Sequence, residues 1–449
     1  MSSVEEILDS LLEGGPKGIA RFEASLDPVW IAHALEATGK ASARRRKFPA
    51  EQALWLVLGM ALFADRSIKD VVDHLDLVLP GVDSLAPSAI PKARYRLGSE
   101  PLEWLFRKVA SVWSSTAGWT DYKGRSLYAV DGTSVRVQDS DENLEAFGKP
   151  GGRSGSNDAG YPQVRMACLM NLRNRLLCDA AFGPFDVGEH SLAAQLWDSV
   201  PSGSIVLLDR GFMSYPVYSS LVNAGKDLEL LVRLKSNTKV KPIELLNDGS
   251  ALVELEASRE VRREHPHLPR SIQGRLIEYR YDGGDLVRLF CTLLDPQEYP
   301  AQELVELYHE RWEIELGYDE VKTHMLERKE CLRSKLPDGV HQEIWGLLLT
   351  YNLVRREMLL AAEQHELPPQ RISFRSSLMW IRNFWTTAWM TSPGALPKHL
   401  GQLRSTLDVL ILPVRRSERR YPRHVKIKMS GYARNRGERQ EKPVKKEPK

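Results

Sequence analysis

One stretch of the chain places a hydroxyl, a guanidinium, a carboxylate and an ammonium at helical spacing. In YHERWEIELGYDEVK these groups belong to Tyr308, Arg311, Glu315 and Lys322. At about 100° per residue they fall within a stripe roughly 60° wide on one helix face. A carboxylate there can bind a metal ion while the two cations engage phosphates, although opposite charges at this spacing are also common on solvated helices. Asp319 lies on the same face, so the spacing alone leaves two candidates for a metal-binding acid.

Two aspartates stand where strand-like segments end. SLYAVDGTSVRV predicts a strand that reaches a turn at Asp131, and SIVLLDRGF predicts a short buried strand with Asp209 near its end. Acids at the ends of neighbouring strands, with a third acid from a crossing helix, can hold two divalent cations roughly 3.5–4 Å apart for phosphoryl transfer. Asp179 and Glu189 could also reach such ions, but ordinary strand and loop roles are the preferred interpretation. None of the four cysteines belongs to a Cys-x-x-Cys pair, so any metal must have oxygen ligands.

The segments around these acids predict an α/β fold. The strand before Asp131 is followed by strand-like runs at Val164–Asn171 and Arg175–Phe182, with a turn between them. A helix, the strand before Asp209, a second helix and the strand LELLVRLK come next. Three meandering strands followed by helix–strand–helix–strand is the order of a ribonuclease-H-like core with a mixed sheet.

The regions that flank this core have different patterns. Residues 237–300 carry short alternating runs and turn signals, which predict a β-strand insertion. Helical periodicity is then continuous from Pro300 to Arg328, and two C-terminal helices are predicted over Gly339–Gln364 and Ile372–Trp389.

The N-terminal region predicts helices. RSIKDVVDHL followed by LAPSAIPKARYRLG is typical of two helices and a connection, with Ser88 as N-cap of the second. Lys92, Arg94 and Arg96 are expected to project from this second helix. They predict a basic DNA-recognition helix, although a solvated helix face could carry the same residues.

Charge and hydropathy limit the classes of partner. The net charge is +3, but 14 basic and 4 acidic residues give Arg415–Lys449 a charge of +10 and leave −7 on the rest. Such a tail indicates a polyanion partner or an unpartnered solvated segment. No apolar run approaches the roughly 20 residues that span a membrane, and the acidic N-terminus lacks signal-peptide features. We therefore expect a cytoplasmic, nucleoid-associated protein with no membrane partner.

The stretch around Glu315 resembles the Tyr-x2-Arg-x3-Glu-x6-Lys signature of bacterial transposases of the insertion-sequence-4 family. All four positions match, and the family assigns the catalytic acid to Glu315 rather than Asp319. VDGT around Asp131 and LLDRGF around Asp209 resemble the segments that carry the family's aspartates. GYPQVRMACL, LVRLKSN and RRYPRHVKIKMSGY also resemble family segments, and residues 20–113 resemble its helical DNA-binding domain.

The resemblance implies a DNA transposase of the DDE type, named for its two aspartates and one glutamate. Asp131, Asp209 and Glu315 would bind two Mg²⁺ or Mn²⁺ ions in each active site. The enzyme would bind terminal inverted repeats, nick the element's end, form a hairpin and transfer the strand into target DNA. A structure-specific nuclease of the same fold and an inactivated transposase kept as a DNA-binding protein are the alternatives. Retention of all three acids disfavours inactivation.

The resemblance also implies DNA contacts. Tyr308, Arg311 and Lys322 would contact the terminal phosphates, and Arg233 and Lys235 in LVRLKSN would grip the transposon end. Some relatives stack a flipped base on a tryptophan of the insertion, but residues 237–300 contain none. Tyr279, Tyr281 and Phe290 are possible substitutes for this tryptophan.

Family members act in paired complexes, so a homodimer that bridges two transposon ends is expected. Apolar residues of the two C-terminal helices could form its interface, with burial inside one chain as the alternative: Ile344, Trp345, Leu347, Leu348, Trp380, Trp385 and Trp389. The predicted domains are 1–124 (helical, DNA-binding), 125–236 (core, first part), 237–300 (β insertion), 301–365 (core, second part with the catalytic helix), 366–413 (C-terminal helices) and 414–449 (basic tail).

Overall fold

A computed structural model describes most of the chain. The described residues are 26–41, 47–78, 85–115, 121–150, 160–212, 214–280, 286–327, 331–387, 396–405 and 410–413. None of the helices in these ranges is long and apolar enough to cross a membrane. The basic tail, Tyr281 and Trp389 lie outside the described residues, so the predictions made for them are not addressed by the structure.

The N-terminal region is helical, as predicted. Its described helices are α1 (Pro28–Ala37), α2 (Ala50–Leu62), α3 (Ile68–His74), α4 (Ala89–Leu97) and α5 (Glu100–Ser115). A capping box begins α3: the Asp70 N–H donates to Ser67 Oγ at 3.1 Å, and the Ser67 N–H donates to the Asp70 carboxylate at 3.3 Å. Ser88 is the N-cap residue of α4, as predicted, although its side chain makes no capping hydrogen bond.

The described strands form one mixed sheet. They are β1 (Asp121–Tyr122), β2 (Arg125–Arg136), β3 (Gln163–Asn171), β4 (Leu177–Pro184), β5 (Ser204–Leu208), β6 (Leu228–Arg233), β7 (Lys241–Leu245), β8 (Ala251–Glu256), β9 (Ser271–Tyr279) and β10 (Val287–Cys291). Their order is β4-β3-β2-β5-β6-β10-β9-β8-β7, with β1 paired to β2. An antiparallel meander of β2, β3 and β4 is joined to β5 and β6, which run parallel to β2. This confirms the predicted α/β class with a mixed sheet.

Residues 237–300 extend the core sheet. Their last strand, β10, pairs antiparallel with β6, and Phe290 lies opposite Val232. The insertion is therefore continuous with the core through main-chain hydrogen bonds. Short helices connect the strands of the whole sheet: α6 (Asp141–Phe147), α7 (Glu189–Ala193, continued by a 3₁₀ turn at Ala194–Ser199), a 3₁₀ turn at Arg210–Phe212, α8 (Tyr215–Val222) and α9 (Arg259–Glu264).

The helix predicted from Pro300 to Arg328 is not continuous. It divides into α10 (Ala301–His309), α11 (Trp312–Asp319) and a π-helical turn at Glu320–Met325. At the first break the Arg311 N–H donates to the Tyr308 carbonyl, three residues earlier, at 3.2 Å. The Glu310 carboxylate accepts two hydrogen bonds there from the Arg173 guanidinium, at 2.6 and 2.8 Å. A pattern based on a regular 3.6-residue period could not predict these changes of pitch.

The C-terminal helices are α12 (Pro337–Gln364), α13 (Phe374–Thr387) and α14 (Leu396–Ser405), the first two close to the predicted ranges. The apolar residues considered for a dimer interface mostly face the chain's own core. Those that are buried, at 1–4 % exposure, are Ile344, Trp345, Leu347, Leu348 and Trp385, and Trp380 is partly buried against the same core. The prediction that they form a dimer interface is therefore wrong, and burial within one chain explains them.

A buried ion network holds the α11 segment onto α12 and the sheet. Glu320 forms ion pairs with Arg175, in the turn between β3 and β4, and with Arg355 on α12. Arg175 also pairs with Glu313, and the Tyr351 hydroxyl donates to the Arg175 carbonyl at 3.1 Å. Buried charges are tolerated when they are paired and hydrogen-bonded, and removing one partner leaves an uncompensated charge. This network therefore anchors the helix on the side opposite solvent.

We predict that Arg355→Met destabilises the protein strongly. The change leaves Glu320, which is 8 % exposed, without one of its two cations. Loss of one partner of a buried pair costs about 3–5 kcal/mol. Urea denaturation should show a correspondingly lower midpoint. The neighbouring Arg356→Met is the matched control, because Arg356 is only half-buried, and it should cost less than about 1 kcal/mol. Equal losses for the two variants would contradict the role of the network.

Candidate active site

Asp131 and Asp209 lie at the same level, just beyond the last residue pair of the β2–β5 ladder. The last parallel pair joins Ala129 to Leu207, and each aspartate lies two residues further along its strand direction. Side chains two apart in a strand point to the same face, so the two carboxylates share one face of the sheet. The predicted turn at Asp131 is wrong, because β2 continues to Arg136 and Asp131 pairs with Cys168 of β3.

Backbone N–H groups orient both carboxylates. The Gly132 N–H donates to Asp131 Oδ1 at 2.8 Å, and the Phe212 N–H donates to Asp209 Oδ1 at 3.1 Å. Burial raises the pKa of Asp131 to about 6, a shift opposed by the hydrogen bond from Gly132 and increased by the negative charge of Asp209. Arg311 acts to lower this pKa, and Glu315 acts to raise it. The site therefore brings acidic groups together, and the charge of Arg311 partly offsets theirs at Asp131.

Glu315 projects from α11 toward the same region. Its carboxylate, 42 % exposed, accepts a hydrogen bond from the Arg311 guanidinium at 2.8 Å. The rival acid Asp319 accepts a hydrogen bond from the Thr323 hydroxyl at 2.6 Å and is exposed. Glu315, but not Asp319, is among the main charges acting on Asp131. The geometry therefore favours Glu315 as the third acid.

The donor set suits a hard divalent cation, but Glu315 is turned toward Arg311. Carboxylate oxygens are the ligands that Mg²⁺ and Mn²⁺ prefer. Across the described ranges, no three acidic, histidine or cysteine side chains stand close enough together to hold an ion without rearrangement. Release of Glu315 from Arg311 would supply the missing carboxylate. The four cysteines are free thiols, and burial raises the pKa of Cys168 to about 12.

The rest of the predicted stripe divides into buried and accessible groups. Tyr308 is buried, and its hydroxyl donates to the Leu208 carbonyl at 3.2 Å. Its contact with a terminal phosphate stays a prediction. Arg311 is also buried, and its guanidinium lies 5.7 Å from the ring of Trp312, which is 42 % exposed. Lys322 is half-buried in the π-helical turn.

Arg233 and Lys235, the basic residues predicted to grip DNA, lie at and just after the end of β6. Arg233 is the last residue of β6, and its charge acts on Tyr308, which places it near α10 and Asp209. Lys235 is exposed two residues later. Among the aromatic candidates for holding a base, Phe290 is fully buried and therefore unsuitable, and Tyr279 packs partly buried against the core.

The predicted recognition helix α4 keeps two of its three basic residues at the surface. Lys92 and Arg96 are exposed. Arg94 is buried, and its guanidinium donates to Gln342 at 2.9 Å and to Glu343 at 3.3 Å. The prediction that Arg94 contacts DNA is therefore wrong, because its charge is spent on fastening α4 to α12.

Two acids that the sequence left as weaker candidates have different positions. Asp179 is buried, pairs with Arg107 at 2.6 Å and accepts a hydrogen bond from Ser199, which is a structural role. Glu189 instead lies against Gly132, where an added Cβ would come within 2.4 Å of the Glu189 carboxyl carbon. Its side chain is therefore next to Asp131, a proximity that its distance in sequence did not reveal.

Comparisons with known proteins identify the family of the chain. A family model described as "Insertion element 4 transposase N-terminal" matches residues 16–107, and one described as "Transposase DDE domain" matches residues 122–353. The chain is 36% identical over 403 residues to the transposase InsG of insertion sequence element IS4 from Escherichia coli, covering 89% of this chain and 90% of that protein. InsZ, also from Escherichia coli, is 32% identical over 272 residues, 58% of this chain and 89% of its own length.

A search of solved structures found a distant likeness in fold. The piggyBac transposase synaptic complex with hairpin DNA aligns with a TM-score of 0.41 and 12% identity, over 90% of this chain and 89% of that one. The family assignment comes from the sequence matches, which span both the helical N-terminal region and the sheet with its three acids. The chain belongs to the insertion-sequence-4 family of DDE transposases and is the transposase of an insertion element.

Proposed function

We propose that Asp131, Asp209 and Glu315 are the catalytic acids of this transposase, within a ribonuclease-H-like core. The observation that carries the proposal is the β2–β5 register, which sets the two aspartates side by side on one face while Glu315 acts on Asp131 from α11. The order of β4, β3, β2, β5 and β6, with the first three antiparallel, supports the same core.

The three acids would hold the metal. DDE transposases generally use divalent metal ions, and here two Mg²⁺ or Mn²⁺ ions per site are proposed. When bound, they would supply Lewis-acid activation of the attacking and leaving oxygens. The contribution of the chain is to hold Asp131 and Asp209 side by side and to release Glu315 from Arg311.

DNA is the substrate, and the basic residues beside the acids would position it. A phosphate of the transposon end would compete with Glu315 for the Arg311 guanidinium, which can form two parallel hydrogen bonds to a phosphate. Lys322, Arg233 and Lys235 would contact neighbouring phosphates, while Lys92 and Arg96 on α4 would contact DNA further away. The basic tail would add affinity that does not depend on sequence.

The proposed reaction on DNA has four steps. The enzyme binds terminal inverted repeats, nicks at the element's end, forms a hairpin and then joins the freed end to target DNA. A homodimer that holds two ends together is proposed as the active assembly. Because two joined sites raise the effective concentration of each end, DNA would drive the pairing of chains.

Replacement of each proposed acid should abolish chemistry and spare binding. We expect Asp131→Asn, Asp209→Asn and Glu315→Gln to remove nicking of a labelled transposon end in Mg²⁺, because each change removes a metal ligand. Binding of the same end, measured by gel shift, should stay close to wild type. Asp319→Asn is the matched control and should remain active. An inactive Asp319→Asn with an active Glu315→Gln would overturn the assignment of the third acid.

Metal binding should weaken as the pH falls below about 6. The pKa of Asp131 is raised to about 6 in the folded chain, so below that pH an ion must displace a proton. Affinity should then fall about tenfold per pH unit and be flat above pH 6. The Mn²⁺-induced rise in melting temperature, titrated at several pH values, measures this. Asp131→Asn should remove the rise at every pH. Equal Mn²⁺ affinity above and below pH 6 would contradict the prediction.

Mixing two inactive variants tests the dimer. Glu315→Gln chains bind ends but do not cut, and a Lys92→Glu, Arg96→Glu double variant should keep its acids but bind ends poorly. In a homodimer that bridges two ends, the mixture should recover cleavage that neither variant shows alone. Each variant mixed with wild type is the control for subunit exchange. A mixture that stays inactive, with one chain per end by sizing, would contradict the paired assembly.

A further inference from the structure

Tyr318 connects the backbones of the two strands at the position of Asp131. Its hydroxyl donates to the Asp131 carbonyl at 2.5 Å and accepts the Cys168 N–H at 3.2 Å. Asp131 and Cys168 are partners in the β2–β3 register. One hydroxyl group is therefore inserted between two strands at the residue that carries a proposed catalytic acid.

The same tyrosine belongs to the helix that carries Glu315. Residues three apart on an α-helix lie on neighbouring parts of one face, so Tyr318 and Glu315 move together. Any displacement of α11 along β2 would break the bond to the Asp131 carbonyl. The Tyr318 side chain, whose ring is rigid, thus links the backbone of Asp131 directly to the helix that carries Glu315.

A second tyrosine makes an equivalent contact with the other aspartate strand. The Tyr308 hydroxyl donates to the carbonyl of Leu208, the residue that precedes Asp209. Tyr308 lies in the last turn of α10, ten residues before Tyr318. Both tyrosines are less than 9 % exposed, and both bond to main-chain carbonyls beside a catalytic aspartate.

Close packing keeps α11 in contact with the sheet. Gly317 precedes Tyr318, and a Cβ built there would lie 2.3 Å from the Met170 methyl group on β3 and 3.2 Å from the Tyr351 hydroxyl. A residue without a side chain therefore allows the helix to approach β3 closely enough for the Tyr318 hydroxyl to enter between the strands. Tyr318 is not one of the four residues of the signature around Glu315.

We propose that Tyr318 is a positioning residue for strand cleavage, which sets the height and register of Glu315 over Asp131 by bridging Asp131 and Cys168. Tyr308 performs the same task toward Asp209. This inference rests on the proposed assignment of the three acids. Both hydroxyl groups bond to main-chain groups, so each would act through the backbone position of an acid.

Tyr318→Phe, studied in the full-length chain, tests the proposal, because it removes the hydroxyl and keeps the ring. Binding of a transposon end should match wild type, whereas nicking at saturating DNA should fall on the order of 100-fold. The Mn²⁺ concentration that gives half of the metal-induced rise in melting temperature should increase several-fold. This last readout reports on the carboxylates without requiring turnover, and a merely structural hydroxyl would not change it.

Tyr122→Phe is the matched control. The Tyr122 hydroxyl donates to Glu303 at 2.7 Å in the first turn of α10, so the change also removes one tyrosine hydrogen bond to this helical segment. Glu303 is twelve residues before Glu315 and lies in α10, on the other side of the break that separates α10 from α11. Nicking and the half-saturating Mn²⁺ concentration should both stay at wild-type values in this variant.

The outcomes separate this proposal from the assignment of the acids. An inactive Glu315→Gln together with a Tyr318→Phe that has wild-type nicking and Mn²⁺ response would overturn the positioning role and leave the acids in place. An active Glu315→Gln would overturn the acids themselves. If Tyr318→Phe does not fold, Tyr308→Phe takes its place: a raised Mn²⁺ requirement supports the proposal, and a wild-type requirement overturns it.

Discussion

The mutual repulsion of three carboxylates is the constraint on which the rest of this structure depends. Asp131, Asp209 and Glu315 must converge in a partly buried place, where like charges repel more strongly than in water. Burial is the largest cause of the raised pKa of Asp131, and the negative charges of Asp209 and Glu315 raise it further. Main-chain pairing overcomes the repulsion for the two aspartates, because the β2–β5 ladder leaves them no freedom to separate.

Glu315 lies on a helix, so strand pairing does not fix its position, and side-chain contacts hold it instead. On its inner side, α11 and the turn after it are fixed by Glu313 and Glu320, whose charges are matched by Arg175 and Arg355. On the strand side, tyrosine hydroxyls bond to main-chain carbonyls next to the aspartates. The Glu315 carboxylate is paired with the Arg311 guanidinium, and a phosphate could take the place of Glu315 in that pair. The helix is thus fixed by buried contacts, whereas the partner of its Glu315 carboxylate can be exchanged.

The sequence predicts the periodic features of this arrangement and misses those made by single side chains. Strand and helix positions near Asp209 follow from short apolar runs and agree with the structure. The break before Arg311 and the burial of Arg94 depend on partners far away in the sequence. Arg94, for example, is bonded to Gln342, and no local sequence pattern contains that partner. Tyr318 is the clearest omission: a buried tyrosine in a helix has the same sequence pattern whether its hydroxyl is idle or joins two strands.

Helix α12 contacts both α4, which carries the proposed DNA-binding residues, and the segment that carries Glu315. In its first half, Gln342 bonds to the carbonyls of Arg94 and Gly98 at the end of α4. In its second half, Arg355 reaches Glu320 behind the Glu315 helix. A helix of 28 residues is about 42 Å long. Because both connections are buried, the proposed DNA contacts on α4 and the three acids belong to one rigid frame. The spacing between the proposed end-recognition residues and the proposed catalytic acids is therefore set by packed side chains, which a flexible linker between separate domains could not provide.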